Sequence, residues 1–234
     1  MYNLKDECGS LNSFIEDDKM YPINLKLDNR KCAVVGGGQV ACRKIGRLLE
    51  NHALITVISP EADDEIQQWA GDKRLTWKKE TYSKNLLEGF FCVFCATDNL
   101  EVNRQAAMDA KDLGILVNVA SQPELCDFTV PGVVKQGRLQ FTVSSEGASP
   151  AYTRLLRQDL EKRYHQGFGE MADFIEELRQ ELIGERSGYR AATSKQRQKI
   201  WRQALTPKII DLIYNHDLDR AKHEIRNAIN SAGS

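Results

Sequence analysis

The chain has 234 residues, 41% hydrophobic and 28% charged, with a formal net charge of −1. That is the composition of a globular protein with a real core, and it gives no global electrostatic case for binding nucleic acid or an anionic membrane surface. No apolar run approaches the length of a membrane span.

The charge is unevenly spread. Residues 1–149 carry 17 Lys+Arg against 21 Asp+Glu, and residues 150–234 carry 15 against 12. The basic C-terminal part suits an acidic ligand and equally a solvated helix face. Residues 1–20 are polar and acidic and lack the segments of a secretory signal, so they read as a loose extension. Nothing suggests secretion. The six cysteines, Cys8, Cys32, Cys42, Cys92, Cys95 and Cys126, are therefore expected to be reduced, in a cytoplasm.

Taken in order, Tyr21–Leu27 alternates apolar Ile23, Leu25 and Leu27 and predicts a half-buried edge strand. Lys31–Val35 reads as a buried strand, Gly36-Gly37-Gly38 as a tight turn, and Gln39–Glu50 as a helix with apolar residues at helical spacing. Gly36-x-Gly38-x-x-Ala41 fits the fingerprint that opens a dinucleotide-binding βαβ unit. Gly36 permits the turn, Gly38 lets backbone approach a pyrophosphate, and Ala41 is small enough for close helix–strand packing. Gln39 and Val40 then sit at the positive end of the helix, facing the phosphates. The competing reading is a left-handed turn without a ligand.

Leu54–Ser59 is a second buried strand. Its end, Ser59-Pro60-Glu61, stands where an acidic residue contacts the adenosine ribose in NAD-binding folds, roughly 20 residues past the glycines. A serine there does not exclude a 2′-phosphate by charge, and Glu61 is an alternative ribose partner. NAD and NADP both stay open on the residues alone. Glu61–Ala70 predicts a helix, Leu75–Lys79 a strand, and Phe90–Ala96 a central strand whose carboxyl end presents Thr97 and Asp98 near the cofactor. Cys92-Val-Phe-Cys95 matches C-x-x-C in letters only, since residues three apart on a strand face opposite sides. Glu101–Leu113 is a helix with Gly114 as its C-terminal cap, and Ile115–Val119 another buried strand. Asn118 either holds a backbone turn or contacts the nicotinamide. The alternation predicts an α/β, Rossmann-like, doubly wound parallel sheet.

Beyond Ser121 the pattern changes. Asp127–Val134 and Leu139–Ser144 predict strands about a turn at Gln136-Gly137. Ser149-Pro150 opens a helix to Tyr164, followed by helices at Glu170–Ile183, Thr193–Leu205, from Thr206-Pro207, and at Asp217–Ile229. Thr193-x-x-Gln196 is a capping box. His216 and His223, seven apart, would share a face of one helix, and His165 stands alone; all three read as surface histidines rather than metal ligands.

Four blocks in order carry a resemblance. They are Val34 to Lys44, Ala96-Thr97-Asp98 with Asn103, Asn118-Val119 followed by Phe128-x-x-Pro131, and Val143 to Pro150 running into Arg154-Leu155-Leu156-Arg157. Together they resemble the siroheme-synthase family, the precorrin-2 dehydrogenases of which some also act as sirohydrochlorin ferrochelatases. The similarity runs from Tyr21 onward, without a methyltransferase domain, so it is to the free-standing form. It implies an NAD-binding domain over 21–121, a small α+β dimerisation and substrate-cleft segment over 122–165, a helical C-terminal domain over 166–234, and a homodimer. It implies NAD-dependent oxidation of precorrin-2, an acidic tetrapyrrole, to sirohydrochlorin.

By the same resemblance Ser145, Arg154 and Arg157 are substrate-cleft candidates. Arg forks match carboxylate geometry, although charged helical residues usually form a solvated face. Where the family carries a catalytic aspartate, this chain has Ser121. Serine cannot serve as a carboxylate base, so Asp127 or Asp98 takes the role, or the base is dispensable, or activity is lost. The substitution weighs more against ferrochelatase than against dehydrogenase. The alternatives are a bifunctional enzyme that also inserts Fe²⁺ or Co²⁺, and a non-catalytic NAD-sensing or tetrapyrrole-carrying module.

Overall fold

The computed structural model describes residues 20–183 and 193–232. The chain divides into two compact units on either side of the Val130–Pro131 bond, later than the 121/122 boundary expected from the pattern change.

The described residues of the first unit hold five strands, β1 (Lys31–Val35), β2 (Leu54–Ile58), β3 (Thr76–Lys78), β4 (Cys92–Cys95) and β5 (Leu116–Val119), in one parallel sheet of order β3-β2-β1-β4-β5. Side chains alternate across it. Cys32, Val34, Ile55, Val57, Cys92 and Phe94 pack on one face against helices α1 (Gln39–Glu50) and α2 (Asp64–Gly71). Ala33, Val35, Val93, Cys95 and Val117 pack on the other against Ala106, Ala107 and Ala110 of α3 (Leu100–Asp112). Both faces are covered, so the strands read as continuous apolar runs. Strand order reverses between β1 and β4, and their carboxyl ends align at Val35 and Cys95. Such a switch point is where open α/β sheets bind ligands.

Cys92 and Cys95 fall in these two opposite clusters, as the strand period requires. Burial pushes the Cys95 thiol up to about 12, which disfavours a thiolate there.

Three local expectations are corrected. Tyr21–Leu27 forms no strand: Tyr21 and Ile23 are 87% and 66% exposed, and Pro22 has no N–H to give a ladder. The helix expected from Glu61 begins only at Asp64, because Pro60–Ala62 turn against the glycine loop and the Asp63 N–H donates to Gly37 O at 2.8 Å. The strand expected from Asp127 begins only at Gly132. Asp127 Oδ2 accepts the Val117 N–H at 3.0 Å in place of a backbone carbonyl, and Pro131 lacks a donor.

In the second unit, β6 (Gly132–Gln136) and β7 (Leu139–Val143) form an antiparallel hairpin through Gly137, whose φ is +57. Among the described residues five helices follow: α4 (Pro150–Arg163), α5 (Gln166–Ile183), α6 (Ser194–Ala204), α7 (Pro207–Tyr214) and α8 (Leu218–Ala232). Ser149 caps α4, accepting from the Tyr152 N–H at 3.2 Å, and the Thr193/Gln196 capping box closes on α6. Their core comprises Phe168, Met171 and Leu178 of α5 with Ile200, Ile213, Ile225 and Ile229. His216 lies in the turn before α8 with φ +59, so it shares no helix with His223. Its ring stacks on His165 with centroids 4.3 Å apart, a pairing that neither sequence position announced. Among the described residues no helix is long and apolar enough to cross a membrane.

Candidate functional site: a groove at the sheet switch point

A groove of about 910 Å³ opens at the carboxyl ends of the first unit's strands. Its floor is the glycine loop, and the three glycines differ in why they are needed. Gly36 has φ +115, and a Cβ there would lie 2.5 Å from Ala96 O. Gly37 is pressed against Glu61 O, Ser59 Oγ and Ala62, which leaves no space for a side chain. At Gly38 a Cβ would meet no protein atom within 4 Å, and φ −86 with ψ −173 is open to any residue. The first two glycines serve the fold, whereas the third keeps space open toward the groove.

Gly38 is also the N-cap of α1, and no side chain caps that end. The N–H groups of the first turn therefore face the groove unpaired, together with the positive end of the helix dipole. The first turn holds no acidic residue, and Arg43 lines the same groove with Gln39 and Val40. An uncapped helix start, open space at its cap and a nearby guanidinium fit a phosphate-bearing ligand.

At the carboxyl end of β2 the groove is walled by Ser59, Pro60 and Glu61, and Thr81 and Tyr82 also line it. Ser59 is 5% exposed and its hydroxyl donates to Glu61 O, while its carbonyl accepts from Trp77 Nε1 at 3.0 Å. That side chain braces the glycine loop, and Glu61 carries the exposed polar group there. The Tyr82 phenol donates to Asp109 Oδ2 at 2.8 Å; burial first, then this bond and the carboxylate's charge, push its pKa well above the ordinary tyrosine value. Asp109 is 4% exposed and also accepts from Gln105 Nε2 at 3.0 Å.

Past the carboxyl ends of β4 and β5 lie Thr97, Asp98, Ala120 and Ser121. Asp98 and Ser121 are exposed into the groove. Thr97 borders it, but its hydroxyl turns inward, 2.8 Å from Asn103 Oδ1.

Two candidates of the first unit do not line the groove. Asn118 is buried on the α1 face of β5: Oδ1 accepts from Lys44 Nζ at 2.7 Å, and Nδ2 donates to Phe128 O at 2.9 Å. Asp127 is spent on the Val117 N–H, with Lys111 Nζ 4.0 Å from its other oxygen. Both hold the 126–128 segment along β5. Arg43, Thr81 and Tyr82 were missed in the sequence, since none belongs to the glycine fingerprint and Thr81-Tyr82 lies in an aperiodic loop.

The remaining candidates belong to the second unit. Ser145 Oγ accepts from the Ser149 N–H at 3.2 Å and lies 3.0 Å from Thr153 Oγ1, inside the start of α4. Arg157 pairs with Glu161 at 2.9 Å, and Arg154 is exposed with no ion pair among the described residues. Among the described residues no group of three or more His, Cys, Asp or Glu is placed to hold a metal.

Comparison with known proteins agrees with this layout. Residues 23–132 match a family described as "Putative NAD(P)-binding", and residues 136–163 match one described as "Sirohaem biosynthesis protein central". Siroheme synthase of Nitrosococcus oceani is 33% identical over 208 residues, covering 89% of this chain and 43% of that protein. Siroheme synthase of Methylobacillus flagellatus is 32% identical over 212 residues, covering 91% and 44%. This chain thus spans less than half the length of the curated relatives it matches. Among solved structures, one titled "SirC, precorrin-2 dehydrogenase" is similar with a TM-score of 0.74 and 26% identity, covering 91% of this chain and all of that one.

Proposed function

We propose, for a chain of the siroheme-synthase N-terminal type, that the groove binds NAD and that the protein oxidises precorrin-2 to sirohydrochlorin. The observation that carries this reading is the glycine loop with a ligand-facing third glycine, in a chain whose fold matches a precorrin-2 dehydrogenase over that protein's whole length.

The residues divide the work. The α1 N-terminus at Gly38, Gln39 and Val40, with Arg43, takes the pyrophosphate. Glu61 accepts from the ribose hydroxyls, and its charge disfavours a 2′-phosphate, which supports NAD over NADP. Tyr82 and Thr81 wall the adenosine end. Thr97, Asp98 and Ser121 border the nicotinamide end. Bound nicotinamide supplies the hydride acceptor. Oxidation also releases a proton, and Asp98 is the carboxylate exposed to receive it. Arg154 and Arg157 are the proposed partners of substrate carboxylates.

The protein is proposed to act as a homodimer. The support is α4, which buries no residue fully and exposes Tyr152 and Leu155, 57% and 60%, on one face.

The test is anaerobic incubation of the protein with freshly made precorrin-2 and NAD⁺. We expect NADH absorbance and the sirohydrochlorin spectrum to grow together at a catalytic rate. NAD binding without either product would instead favour a sensor or carrier.

A further inference from the structure

Among the described residues of the first unit Asn103 is the most deeply buried polar residue, at 0% exposure, and it lies in α3 away from the groove wall. A buried amide is costly unless each of its groups is paired. Here all pairs go to one residue. Oδ1 accepts from the Thr97 N–H at 3.1 Å and lies 2.8 Å from Thr97 Oγ1, while Nδ2 donates to Thr97 O at 2.9 Å.

The position of this clamp matters. The Ala96 N–H makes the last ladder bond of β4, to Val35 O at 2.8 Å. At Thr97 the chain leaves the sheet, and the Asn103 amide substitutes for the missing neighbour strand on both its N–H and its C=O. Asn99 then caps α3 through the Glu101 and Val102 N–H groups, so the loop is fixed at both ends. The residue just before this exit, Ala96, presents the carbonyl against which Gly36 is packed. Thr97 and Asp98, on the groove's edge, therefore inherit their placement from a side chain that does not line it.

We propose that Asn103 is a positioning residue of the dinucleotide site: it sets the β4–α3 loop so that Gly36 closes beneath it and Asp98 faces the nicotinamide end. The inference rests on the dinucleotide reading above and extends it to a residue outside the groove.

The test measures NAD⁺ and NADH affinity of the full chain, far below its melting temperature, for wild type, Asn103→Ala and Ala110→Gly. Ala110 is a fully buried residue of the same helix, and its substitution should lower Tm without touching the loop. We expect Asn103→Ala to weaken dinucleotide binding by about tenfold or more, from several lost hydrogen bonds, while Ala110→Gly keeps the wild-type Kd. Should Asn103→Ala not fold, Thr97→Val removes the hydroxyl's contacts with Asn103 Oδ1 and with Asn99 O, leaves both backbone bonds to the Asn103 amide, and is expected to weaken binding about threefold. Wild-type affinity in Asn103→Ala, or in Thr97→Val where that variant is used, overturns the proposal and leaves the site reading intact. A wild-type chain that binds neither NAD⁺ nor NADH overturns the site reading itself, and this inference with it.

Discussion

Lys44 Nζ donates to Asn118 Oδ1 across 2.7 Å, joining the first helix to the last strand of the parallel sheet. The ammonium also lies over the Phe94 ring, 5.3 Å from its centroid. Burial, more than any neighbour, holds its pKa below the ordinary lysine value. The folded state then binds fewer protons than the unfolded chain between the lowered pKa and about 10.4. Stability contributed at this site therefore rises as pH increases through that window. Lys44→Met should remove that rise, and Tm against pH for the two proteins, taken as a difference, checks it. At neutral pH the net change should be within about 1 kcal/mol, because the lost bond is offset by relief of a desolvated charge.

Tyr82 gives the opposite sign. Its raised phenol pKa means the folded state keeps a proton that the unfolded chain loses above about pH 10. Stability contributed here falls as pH climbs past that point, and Tyr82→Phe should flatten the fall. At neutral pH the same variant strips Asp109 of one donor and should cost about 1 kcal/mol or more, read by denaturant unfolding.

Asp127 and Asp98 are told apart by what their carboxylates touch. Asp127→Asn keeps an oxygen for the Val117 N–H, so fold and turnover should both persist. Asp127→Ala leaves that N–H unpartnered and should cost about 1–3 kcal/mol of stability with little change in kcat. Asp98→Asn should leave stability unchanged and lower kcat by about 10²-fold or more if it takes the proton. Ser121→Ala should retain turnover. Loss of kcat in Asp127→Asn rather than Asp98→Asn would reverse these roles.

The legible parts of the chain were those encoded locally. The glycine triplet, the apolar strand runs, Ser149-Pro150 and the Thr193 capping box each carry their structure within a few residues, and each formed. What escaped depends on which way the folded backbone turns each side chain. Ser59 reads as a ribose contact until its hydroxyl is found bracing the Glu61 turn against Gly37. Asn118 reads equally as a backbone-turn holder and as a nicotinamide contact until the strand alternation turns it to Lys44, 74 residues away, and to the Phe128 carbonyl. Thr97 was legible as a groove residue, but not that its hydroxyl faces inward to Asn103. Tyr21–Leu27 has a strand's alternation with no neighbour to pair with, and alternation alone does not make a ladder.

The most direct test of the groove is Gly38→Asp beside Gly36→Ala. Aspartate is a favoured N-cap, so Gly38→Asp should fold with Tm equal to or slightly above wild type. Gly36→Ala should be destabilised by about 1–3 kcal/mol or more, by its positive φ and the Ala96 carbonyl. With both stabilities in hand, NAD⁺ affinity of Gly38→Asp is the deciding number. We expect a loss of about a hundredfold or more, since a carboxylate at the α1 cap occupies and repels the pyrophosphate's place. A folded Gly38→Asp protein that binds NAD⁺ as wild type does would contradict the assignment of this groove to a dinucleotide.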